Sequence, residues 1–130
     1  MKRRINQEFG MECVRRFCAA EQLSAADMRL AVRFSLEEFA DRYPGHSVEI
    51  RIPWIGAVQA IRGVNHRRGT PPNVVEMDGI SWLQIATGIT PEGYAPVCPE
   101  DITYSGAHAD LSPYLPLFSP AQLRSIHPAA

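Results

Sequence analysis

Residues 25 to 42 carry apolar side chains on two opposite sides of one helical stretch, and this constrains the fold more than any other feature. At helical periodicity Met28, Ala31, Val32, Ser35 and Phe39 share a face, with Leu36 at its margin. Leu30 and Phe34 fall on nearly the opposite side. Ser24 is a good N-cap, with Asp27 three residues on as a short-armed capping partner. Pro44 biases Tyr43 away from helical backbone and Gly45 suits a turn, so the helix stops there. A helix apolar on two sides belongs between layers. The economical arrangement packs one face on a sheet and the other on a preceding helix; a ligand cavity along one face satisfies the same pattern.

Such a preceding helix is available. Ile5, Phe9, Cys13, Phe17 and Ala20 form an apolar stripe over residues 5 to 20. The sheet begins with Ser47 to Ile52, where Val48, Ile50 and Ile52 alternate with Ser47, Glu49 and Arg51. Pro53-Trp54-Ile55-Gly56 is a short link to a second β-like run over 57–62, which predicts a hairpin. Residues 73–77 read as a third strand and 80–87 as a short helix stopped by Gly88. Thr90-Pro91-Glu92 has the form of a further helix start, and 102–105 of a last brief strand. A helical turn is expected near 110–114, and Ser119-Pro120-Ala121-Gln122 predicts a terminal helix within a tail spanning 119–130. Strands grouped apart from helices argue an α+β fold.

At 130 residues the chain is expected to form one domain, with residues 1–23 as an added N-terminal helical segment. Net charge is −1, from 13 basic and 14 acidic residues, so no global field favours nucleic acid or anionic lipid. No run is long and apolar enough to span a bilayer, and Ile5-Asn6-Gln7-Glu8 does not resemble the core of a secretory signal. Cys13, Cys18 and Cys98 form no even framework, which fits reduced thiols and a cytoplasmic protein.

Catalytic patterns are not evident. His46, His66, His108 and His127 lie at no metal-ligand spacing, and no GK[ST] follows Gly63 or Gly69. The basic cluster of Arg62, His66, Arg67 and Arg68 precedes a double proline at Pro71-Pro72. It reads as a solvated, rigid entry into the third strand, or as a group orienting a polar head group. It lacks the interleaved aromatics of a nucleic-acid platform. Trp54, Trp82, Leu83 and Ile85 either complete the core or line a cavity.

These same segments resemble a known family. Ser47-Val48-Glu49-Ile50-Arg51-Ile52-Pro53, Ala57-Val58-Gln59-Ala60-Ile61, His66-Arg67-Arg68-Gly69-Thr70-Pro71-Pro72-Asn73-Val74-Val75-Glu76, Trp82-Leu83, Ala86-Thr87-Gly88, Ser105-Gly106 and Ala109-Asp110-Leu111-Ser112 look like the bacterial sterol-carrier-protein orthologue family, over roughly residues 25 to 118. In place of the glycine that normally precedes the last strand stands Val97-Cys98-Pro99-Glu100-Asp101.

The resemblance implies a small, mostly antiparallel sheet of about five strands covered by helices on one face, often with an apolar tunnel. It implies non-catalytic binding or transport of a lipid, fatty acyl or sterol-like ligand, with no cofactor or metal. The cavity candidates are then Val32, Leu36, Phe39, Trp54, Trp82, Leu83 and Ile85, with His66, Arg68, Thr70 and Asn73 as a polar rim. The competing expectation is a structural module. Such a module would dimerise, or dock on an enzyme, through Leu30, Phe34 and the first helix.

Overall fold

The computed structural model describes residues 5–63 and 73–124. Helix α1 (Gln7–Cys18) is capped by the Asn6 side chain, which accepts from the Phe9 N–H. Helix α2 (Ala25–Arg42) has the bounds expected from its caps, with Ser24 accepting from the Asp27 N–H. Strands β1 (Val48–Ile52) and β2 (Gly56–Ala60) form the hairpin, and β3 (Asn73–Glu76) leads into helix α3 (Gly79–Thr87). Strand β4 (Thr103–Ser105) follows a single 3-10 turn at Pro99–Asp101. A second such turn at Ser112–Tyr114 precedes the one-turn helix α4 (Pro120–Leu123).

The sheet of the described residues has four strands, in the order β2-β1-β3-β4, rather than about five. β1 pairs antiparallel with β2 and parallel with β3, and β3 pairs antiparallel with β4. The proline-rich stretch between α3 and β4 adds no strand to it. Pro91, Pro96 and Pro99 carry no N–H for a ladder, and β4 pairs over only three residues. The helix expected at Thr90-Pro91-Glu92 is a single turn closed by Tyr94 N–H to Pro91 O, with Gly93 at φ 92°. A residue in the left-handed region cannot continue an α-helix, so the chain leaves after one turn.

Alternation along the strands gives the sheet a dry face and a wet one. Val48, Ile50, Ile52, Val58, Ala60 and Val75 are buried, while Arg51, Gln59 and Glu76 face solvent. Helix α2 lies over the dry face: a side chain at Gly56 would meet Leu36, and one at Gly79 would meet Val32. Its opposite side is covered by α1, which approaches so closely that a Cβ on Gly10 would lie 2.3 Å from the Phe34 ring. Phe118 stacks on the same ring, with centroids 6.4 Å apart. The two apolar sides of α2 are thus taken by sheet and helix. Phe34, expected at a dimer surface, is fully buried inside the chain.

Helix α3 closes the core through Trp82, whose ring meets Phe39 edge-on at 5.8 Å. The indole N–H donates to Ser35 Oγ at 2.8 Å, and both residues are fully buried. Ser35 Oγ in turn reaches the Ala31 and Val32 carbonyls at 2.8 and 2.9 Å. Ser35→Ala strands a buried donor, which costs about 1–3 kcal/mol. Urea unfolding is expected to show that loss in the wild-type background and much less of it in a Trp82→Phe background, where no donor is left.

Candidate functional site

The β1–β2 link contains two large apolar residues where turn chemistry normally calls for polar ones or glycine. Ile52 and Gly56 are paired, and Ile55 N–H donates to Ile52 O at 3.0 Å, leaving Pro53-Trp54-Ile55 as the loop. Trp54 sits at φ 69°, in the left-handed region. That backbone costs a bulky L-residue roughly 1–2 kcal/mol. Its side chain is 100% exposed, so contacts within the chain do not offset the strain.

Ile55 folds the other way, inward. A Cβ at Gly79 would come within 3.1 Å of Ile55 Cδ1 and 3.0 Å of Val32 Cγ2, so glycine at the start of α3 permits this packing. Between the hairpin tip, the first turns of α2 and the β3–α3 junction lies an open groove of about 600 Å³. Ala25, Met28, Pro53, Trp54, Ile55, Met77 and Gly79 supply its apolar lining, with Arg29, Glu76, Asp78, Asp101 and Thr103 beside them. A shallower depression of about 470 Å³ shares Pro53, Trp54, Ile55 and Glu76 with it.

The acidic groups are held by local structure. Asp78 is the N-cap of α3, its Oδ1 accepting from the Ser81 N–H at 2.7 Å. Asp101 Oδ2 accepts from the Cys98 N–H at 2.8 Å. Glu76 lies near Arg51, whose guanidinium is held above its ordinary pKa first by the hydrogen bond it donates to Glu49 and only lastly by Glu76.

The residues expected to line a cavity divide three ways. Val32, Leu36, Phe39, Trp82 and Leu83 are packed core, because Trp82 fills the space between α2 and α3 and takes Ser35 as its acceptor. Trp54 stands in solvent at the mouth of the groove. Ile85 lines a different groove of about 490 Å³, with Tyr104, Leu111 and Pro116. Gln84 shapes that second groove by donating to Ala95 O at 3.0 Å and accepting from Thr90 Oγ1 at 2.9 Å.

Of the expected polar rim, His66, Arg68 and Thr70 lie outside the described residues. Asn73 is a buried clamp rather than a rim group. Its Nδ2 donates to Ser47 O at 2.9 Å and its Oδ1 accepts from the His108 N–H at 2.8 Å. Met28, already placed on an α2 face, and Ile55 and Gly79, which sequence reasoning passed over, belong to the groove. The available signal was an apolar Trp-Ile pair inside a three-residue hairpin link.

Burial pushes the Cys13 and Cys18 thiols up, away from the reactive thiolate. Among the described residues no three His, Cys, Asp or Glu are grouped to hold a metal ion. Among them, too, no helix is long and apolar enough to cross a membrane.

A family model described as "Bacterial SCP ortholog" matches residues 24–117. No curated protein matches the chain. The matched span runs from the Ser24 cap to the residue before Phe118, and so leaves out α1 and α4.

Trp54→Gly removes a strained residue with no internal packing to lose. Its unfolding free energy, measured in urea, is expected to rise by about 0.5–1 kcal/mol. A loss of stability would show that the indole packs against its own chain in solution.

Proposed function

This chain belongs to the bacterial SCP ortholog family, and from that premise we propose that it binds an apolar small molecule without catalysis, in the groove beside Trp54. The family points to lipid binding in general. The position within this chain is supported by one observation above the others: an indole fully exposed at the mouth of an apolar groove of about 600 Å³. Ligand sites generally occupy about 300–1,000 Å³ and are lined mainly by apolar side chains.

The energetics favour this place over the interior. A ligand between α2 and α3 would have to displace Trp82 from Ser35 and Phe39, breaking a buried hydrogen bond and an aromatic contact, and one between α2 and the sheet would have to part the buried side chains of Val32, Leu36, Val48 and Ile50. A ligand in the groove displaces only water from Met28, Trp54 and Ile55. Covering about 100 Å² of the indole contributes on the order of 2.5 kcal/mol. No bond is made or broken in this reading; the groove lends an apolar molecule a dry surface.

A neutral fluorescent apolar probe is expected to bind one-to-one in a titration, and Trp54→Gly to weaken that binding by about tenfold or more. The unfolding free energy of the same variant must not fall, which separates lost contact from lost fold. Undiminished binding by Trp54→Gly, or absence of binding by the wild type, contradicts the proposal.

A further inference from the structure

We propose that the ligand of this groove is a single-chain amphiphile whose polar end is cationic, of the amine or quaternary ammonium type. The inference rests on the groove reading above and adds the chemistry of the head group. The apolar lining accounts for the body of such a molecule. Its charged lining accounts for the end.

Three carboxylates, Glu76, Asp78 and Asp101, and one guanidinium, Arg29, line the groove, a formal sum of −3 and +1, or −2. The whole chain sums to only −1, so the groove is more acidic than the molecule that carries it. Asp78 and Asp101 each spend one oxygen on a backbone N–H, from Ser81 and Cys98, which fixes the carboxylate and aims the second oxygen elsewhere. An anionic head group would find one cation, Arg29, in a lining that also carries three like charges. The other attraction for an anion, the positive end of α3, is already occupied by Asp78 itself. Trp54 completes the case, since the face of an indole attracts a cation as well as covering an alkyl chain. The rim charges are exposed, so their selectivity is strong only where salt does not screen them.

Three ligands of equal chain length test this: dodecyltrimethylammonium, dodecanol and dodecanoate, each below its micelle threshold or solubility limit, followed by tryptophan emission and by calorimetry. At about 0.01 M salt, where the Debye length is about 30 Å, the ammonium is expected to bind at least about tenfold more tightly than the carboxylate, with the alcohol between. At about 1 M salt, where it is about 3 Å, the three should converge. Glu76→Gln combined with Asp101→Asn should narrow the low-salt ratio of ammonium to carboxylate binding several-fold. Equal or tighter binding of dodecanoate at low salt overturns the charge assignment while leaving the groove reading intact. Binding of none of the three overturns the groove reading, and this proposal with it.

Discussion

The indole N–H of Trp82 must find an acceptor in the driest part of the molecule, and the rest of the architecture is arranged around its meeting with Ser35. Trp82 lies on α3, a helix of nine residues, and Ser35 near the middle of α2. The bond therefore sets how far α3 stands from α2, and thereby where the β3–α3 junction can go. Phe39 packs against the same ring, and Tyr43 and Tyr114 extend the aromatic cluster from it. The consequence for function is negative and specific. Among the described residues, the space between α2 and α3 is filled by Trp82, and any molecule entering there would have to break its bond to Ser35.

Much of this was legible in local chemistry. Ser24 and Pro44 delimit α2 to the residue, because a cap and a helix breaker act within one turn of chain. Alternation from Val48 to Ile52 gave the buried face of β1, and Gly88 ended α3 in the left-handed conformation, at φ 72°. What escaped depends on tertiary context. A tryptophan is ordinarily worth burying, so nothing in Pro53-Trp54-Ile55-Gly56 distinguishes an indole turned outward from one turned in; the backbone φ does. Asn73 reads from the sequence as part of a polar rim with His66, Arg68 and Thr70. Only the fold shows Ser47 O and the His108 N–H converging on its amide. Thr90-Pro91-Glu92 is a sound helix start that failed for want of a helix to follow, with Gly93 and Pro96 just beyond it.

The groove residues run from Ala25 to Thr103, wholly within the span that matches the family, 24–117. α1 and α4 lie outside that span and away from the groove. α1 covers the second apolar side of α2, and α4 packs on α1. Gly10 admits the Phe34 ring, and Arg15 ties the two terminal segments together by donating to Gln122 O at 2.8 Å. The division is physically coherent: the outer helices stabilise the two-faced helix, and the hairpin tip carries a residue that the fold tolerates at a cost.

The most direct test of ligand position uses the two indoles as separate reporters in an amide and indole ¹H–¹⁵N spectrum. Titration with a neutral alkyl ligand is predicted to shift the Trp54 indole resonance, with the amides of Met28, Ile55 and Gly79. The Trp82 indole resonance, held by Ser35, should stay in place. A shift of Trp82, Phe39 and Leu36 with Trp54 unmoved would contradict the account, because it would put the ligand inside the core.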